Sequence, residues 1–157
     1  MPYAGDGGYA DCFVVDIRAA ISQAQYVEAF YTTWLFKLER LVLLCLLAKP
    51  STDEGARALA RGERDTFAAW SVEARAPQQL LVRDYQGKTC SWLMVEPGFD
   101  NGGAVTRLYF GTGIVPRDDR KTGGRRMSFF FRALMPFHKR YAQALLRAAR
   151  ARLTRAV

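Results

Sequence analysis

Histidine is the side chain best suited to moving a proton near neutral pH, and this sequence holds one, His138. It stands four residues after Leu134 and three before Tyr141, so on a helix all three share one side. Two readings follow: His138 faces a ligand pocket beneath that helix, or it is a core histidine satisfied by a single hydrogen bond. A general acid or base at His138 is the enzymatic form of the first. Trp70, Trp92, Tyr109 and Tyr141 are the companion set. Their indole N–H and phenol O–H groups would orient a ligand inside an apolar cavity, or the rings simply pack a closed core.

Other chemistry is poorly provided for. Cys12, Cys45 and Cys90 lack C-x-x-C spacing, and a solitary histidine permits no H-x-x-x-H or E-x-x-H pair, so neither a metal nor a cofactor is expected. There is no G-x-S-x-G elbow for a nucleophile. Asp11 and Asp16 differ in strand parity, and Glu73 meets Glu96 only if the strand register brings them together. Gly5-Asp6-Gly7-Gly8 precedes a strand where a phosphate-cradling turn must follow one.

The net charge of +8 is concentrated at one end: 11 Lys/Arg against 13 Asp/Glu up to Pro116, then 12 against 2. Arg117, Arg120, Lys121, Arg125 and Arg126 in a loop, followed by Lys139, Arg140, Arg147, Arg150, Arg152 and Arg155, would attract phosphates. Cations in the last turns of a helix also offset its dipole. No nucleic-acid motif accompanies them, which makes a nucleic-acid partner the weaker expectation.

These residues need elements to position them. The chain of 157 residues is expected to form a single domain over 1–157, with a Gly-rich flexible lead-in at 1–8. Residues 9–17 alternate as a first strand. Ser22 and Gln25 form a capping box that opens a helix near Gln23, and the β-branched Thr32 and Thr33 bend it. Beyond the bend, Leu35, Leu38, Leu41, Leu44 and Cys45 hold the apolar spacing until Pro50. Ser51 with Glu54 predicts a second capping box, and Gly62 closes the short helix 52–61. Strands are expected at 66–74, 78–84, 89–95 and 104–115, with a Gly87 turn, a loop over 97–103, and Gly111 and Gly113 marking a bulge or a close approach. A final helix runs from 127 to about 153, kinked or divided at Pro136.

The fold class is therefore α+β: an antiparallel meander gripping a long C-terminal helix, with two helices between the first and second strands. That order resembles the helix-grip architecture of the START and polyketide-cyclase-like superfamily, in which a curved sheet grips the last helix and an apolar ligand sits in the gap. Four strands after the paired helices depart from the usual six. The strings EAFYTTWLFKLERL, SWLMV and TRLYFGTGIVP look like those of uncharacterised bacterial proteins.

The functional expectation is non-catalytic binding of a small apolar ligand, lined by Trp70, Trp92, Tyr109, His138 and Tyr141, with no cofactor. Polyanion binding and acid–base catalysis by His138 are the alternatives. The longest apolar run, 41–48, is too short to cross a bilayer. With no secretory leader and no disulfide framework, a cytoplasmic protein is expected. A free sheet edge could pair two copies into a homodimer.

Overall fold

In the computed structural model the described residues are 9–47, 50–114 and 129–156. The expected lead-in at 1–8 and the arginine-rich loop at 116–126 lie outside them. Six strands form one antiparallel sheet in the order β1-β6-β5-β4-β3-β2. They are β1 (Tyr9–Ile17), β2 (Thr66–Phe67), β3 (Trp70–Ala76), β4 (Gln79–Asp84), β5 (Thr89–Asp100) and β6 (Gly103–Ile114). Between β1 and β2 come α1 (Gln23–Tyr31), α2 (Trp34–Leu47) and α3 (Asp53–Arg61), and α4 (Phe129–Thr154) follows the sheet. Leu80, Val82, Leu93, Val95, Leu108 and Phe110 turn inward and meet the buried sides of α1, α3 and α4 in one core. None of the described helices is long and apolar enough to cross a membrane.

The capping box at Ser22 forms as the sequence predicts: the Ser22 hydroxyl accepts from the Gln25 amide at 3.2 Å, and the Gln25 side chain accepts from the Ser22 amide at 2.8 Å. Thr106, fully buried on β6, ties the entry of α1 to the sheet by accepting from the Ile21 N–H at 3.0 Å and donating to the Ala19 carbonyl at 2.7 Å. The bend comes at Thr32 and Thr33. The Thr32 hydroxyl donates back to the Glu28 carbonyl at 2.6 Å, while Thr33 accepts from the Phe36 N–H at 3.1 Å and so caps a new helix.

That new helix is rotated from the expected face. Phe36 is buried, and Glu39 and Arg40 turn toward the interior, whereas Leu38, Leu41 and Leu44 are exposed. The cause is the Arg40 guanidinium, which donates to the Ser51 hydroxyl at 2.9 Å, the Ser51 carbonyl at 2.6 Å and the Asp53 carboxylate at 2.6 Å. Its Cζ also lies 5.7 Å from the centroid of the Phe67 ring. Ser51 is thereby occupied, and the cap of α3 falls to Thr52, whose hydroxyl accepts from the Gly55 N–H at 3.1 Å. Gly62 closes α3 at φ 78°, as expected.

Two strand expectations change, and one with two alternatives is decided. The run 66–74 is a tight hairpin in which Ala68 takes φ 52° and Phe67 pairs with Trp70, so both face the core side. The expected loop at 97–103 is strand except for a turn at 101–102, because β5 and β6 stay paired out to Asp100 and Gly103. Pro97 is tolerated there because Val95 directs its N–H to the Gln78 carbonyl, and two residues on the same direction meets no strand, β4 pairing no further than Met94. The register of β6 passes Gly111 and Gly113 without a bulge. Gly113 instead permits a close approach, since a Cβ there would lie 2.8 Å from the Cys90 sulfur. The irregularity falls between Val72 and Ala74. Pro136 does not divide α4, which runs as one helix.

Replacing Arg40 by Ala is expected to lower the unfolding free energy by about 2 kcal/mol, because it leaves the Ser51 carbonyl and hydroxyl without their donor and Asp53 with Lys37 alone. Urea denaturation measures this. Burial pushes the Asp53 carboxyl up, but hydrogen bonds from Lys37 and Arg40 outweigh it and hold it below its ordinary value of 3.8. The stability it contributes is complete above that ordinary value and is lost as pH falls through the depressed one. The acid loss should therefore be smaller in Arg40→Ala than in the wild type.

Candidate functional site

Where α2 and the stretch of α4 from His138 to Leu145 pass over the start of β5 and the end of β6, they leave a cavity of about 260 Å³. Phe30 and Tyr31 of α1, Phe36 of α2, Phe110 of β6, and Ala142 and Leu145 of α4 supply apolar wall. The rings interlock: Phe30 lies 4.6 Å from Phe110, and Phe36 meets Tyr31 edge-on at 4.8 Å between centroids. Such contacts hold the wall in place without filling the space it encloses.

Polar groups enter the wall at a few points. Tyr31 is 1% exposed, and neither its hydroxyl nor the indole N–H of Trp70 finds a partner among the described residues. Glu39 is reached by the Tyr141 hydroxyl, which donates to its carboxylate at 2.5 Å. Burial pushes the Glu39 carboxyl above its ordinary range, against the opposing effect of that hydrogen bond. Tyr31 is pushed up by burial and then by the charge of Glu39. Burial and Glu39 raise Tyr141 as well.

At the other side sits a hydrogen-bonded chain. Thr112 donates to the Asp11 carboxylate and lies 2.9 Å from His138 Nε2. An ionised carboxylate only accepts, so the Thr112 proton goes to Asp11 and His138 must donate from Nε2–H to the Thr112 oxygen. Asp11 also accepts from the Tyr9 hydroxyl at 2.9 Å. Tyr9 is pushed up to about 12 by burial, then by that bond and the Asp11 charge. Burial likewise raises the Cys90 thiol, which disfavours the nucleophilic thiolate. Among the described residues no group of three His, Cys, Asp or Glu side chains is placed to hold a metal ion.

Of the residues singled out from the sequence, Trp70, His138 and Tyr141 line this cavity. Trp92 and Tyr109 do not, because they alternate with the inward Leu93, Leu108 and Phe110 and so face the opposite side of the sheet. There their rings lie 6.0 Å apart, Trp92 Nε1 donates to Gln79 at 3.1 Å and Tyr109 donates to Glu96 at 2.5 Å. Trp70 faces inward with Val72, which stands opposite the buried Val82, and the turn at Ala68 brings Phe67 to the same side. Glu73 is engaged by Arg83 at 2.8 Å, Glu96 stands opposite Arg107, and Asp16 is bonded to Arg107 at 2.9 Å, so no carboxylate pair forms from them. Of the basic residues, those at 117–126 lie outside the described residues, and Lys139 sits 5.7 Å from the Tyr9 ring. Tyr31, Glu39 and Thr112 were not singled out. For Glu39 the available signal was its spacing of three from Phe36, masked by the leucines beside it.

No family model matches the chain, and no curated protein matches it either. Among solved structures it is similar to a putative uncharacterized protein from Rhizobium leguminosarum, with 8% identity, a TM-score of 0.31, and coverage of 92% of this chain and 97% of that one.

Two substitutions test the polar wall in the ligand-free protein. Tyr31→Phe removes an unpartnered buried hydroxyl at constant shape and should raise the unfolding free energy by about 1 kcal/mol in urea denaturation. Glu39 has the opposite linkage to Asp53. Its raised carboxyl contributes stability below the ordinary value of 4.5, lost as pH rises through the raised one. Relative to Glu39→Gln, the wild type should therefore lose stability as pH increases from below 4.5 toward neutrality.

Proposed function

We propose that the protein is a non-catalytic binding domain for a small, largely apolar ligand held between α1, α2, α4 and the sheet. The observation that carries this reading is the pair of unpartnered buried donors, Tyr31 Oη–H and Trp70 Nε1–H, on a cavity whose wall is largely rings and aliphatic carbon. A buried polar group without a partner costs on the order of 1–3 kcal/mol, a cost that a ligand bearing an acceptor would offset. A cavity of about 150 Å³ already accepts benzene, so the 260 Å³ here suits a single ring with a short polar substituent.

In this reading Trp70 and Tyr31 orient the ligand by hydrogen bonds, and Tyr141 and His138 bound the pocket toward α4. The helix-grip likeness in element order is of the same kind, since that architecture also places an apolar ligand beneath the last helix.

Titration with 2-phenylethanol, followed by amide chemical shifts, tests the proposal. Saturable shifts confined to cavity residues are expected, and Ala142→Phe, which fills the space from α4, should abolish them. Binding unaffected by Ala142→Phe in a folded variant would overturn it, as would absence of saturation with 2-phenylethanol and with charged probes of the same ring. Native mass spectrometry of protein taken directly from cells is expected to show a bound mass of the same size class.

A further inference from the structure

Glu39 is the acidic side chain among the described residues that line the cavity. Its carboxylate receives the Tyr141 hydroxyl, which leaves most of its roughly four lone-pair positions unmet. No Lys, Arg or His among the described residues pairs with it. Cations stand within a turn of it on the same helix, yet Lys37 and Arg40 are both committed to Asp53, at 2.5 and 2.6 Å. His138, on the facing helix, is held by Thr112 at 2.9 Å. The fold thus turns a carboxylate inward and directs the nearest positive charges elsewhere.

The wall around that carboxylate is aromatic. Tyr31, Phe36, Trp70 and Tyr141 line the same cavity, and the faces of such rings attract cations more strongly where water is excluded. The unpartnered Tyr31 hydroxyl oxygen adds an acceptor for an N–H donor. A neutral ligand would leave the buried carboxylate without a counter-charge, and an anion would meet it with like charge.

We propose that the cavity selects a protonated amine carried on a one-ring apolar body, its ammonium lying between the Glu39 carboxylate and the rings of Tyr31, Phe36 and Tyr141. The inference rests on the ligand-binding reading above and narrows it to a class of ligand. Trp70 Nε1–H, a donor, would serve an acceptor elsewhere on the same molecule.

Calorimetric titration at neutral pH with 2-phenylethylamine, 2-phenylethanol and 3-phenylpropionate, which share a ring and differ in charge, is the test. The amine is expected to bind about tenfold or more tightly than the alcohol, the gain of a charge-assisted over a neutral hydrogen bond, and the carboxylate to bind weakest. Glu39→Gln should remove that preference, bringing the amine to within about threefold of the alcohol in the same variant. If the alcohol binds as tightly as the amine, or Glu39→Gln preserves the preference, the amine inference is overturned and the binding reading stands. If none of the three binds, both are overturned. Should Glu39→Gln fail to fold, the ranking in the wild type decides alone.

Discussion

The guanidinium of Arg40 is the fixed point from which the geometry of the cavity follows. It bridges α2 to the start of α3 through Ser51 and Asp53, with its side chain 11% exposed. A charge taken that far from water is tolerated only if its donors are met, and three protein acceptors meet them here. Holding Arg40 there fixes the rotation of α2 about its own axis. Phe36 shares the Arg40 side of the helix at a spacing of four, and Glu39 stands three residues from Phe36. Once Arg40 is docked, they are carried inward and Leu38, Leu41 and Leu44 are carried out. An electrostatic clamp has overridden the apolar stripe, and the acidic wall of the cavity is the result.

This contest explains how far the sequence could be read. Features settled by local chemistry were legible: the Ser22–Gln25 box, the break at Thr32 and Thr33, Gly62 at positive φ, and the turn at Gly87 with φ 68°. The mixed class and the antiparallel pairing followed from the same signals. Features settled by long-range partners were not. Leucine spacing pointed α2 the wrong way because Arg40's partners arrive more than ten residues later. Ser51 reads as a cap until another side chain claims it. Residues 97–103 carry every mark of a loop, yet β6 supplies a partner for that backbone, and the proline falls on the side where no strand lies.

The candidate site divides along the same line. Strand parity is a strictly local rule, and it makes a shared face for Trp70 and Trp92 possible only while the register between their strands is unknown. Trp70 shares the inward face with Val72, opposite Val82, whereas Trp92 alternates with the inward Leu93. His138 and Tyr141 both reach the cavity because helical spacing along α4 survives intact. Tyr31 looked like core, and by burial it is; its distinction lies in a hydroxyl that nothing meets, which no pattern of residue types discloses.

Why there is room in the wall can be argued from side-chain size. Further along α4, Leu145, Leu146 and Leu153 close against the sheet and are all buried. One turn nearer the start of the described side chains, α4 presents Ala142, and the sheet answers with Ser91, Thr112 and Gly113. Small residues facing small residues cannot be compensated by neighbours already locked in ring contacts, so packing leaves a void where interiors ordinarily reach crystal-like density. Gly113 cannot easily be enlarged, because a methyl there would press on the Cys90 sulfur at 2.8 Å. Voids of this kind reduce stability in proportion to their volume, and this one also leaves a tyrosine hydroxyl and an indole N–H unmet. Two destabilising features coincide at a single place, and occupancy by a ligand with a polar end on an apolar body would relieve both together.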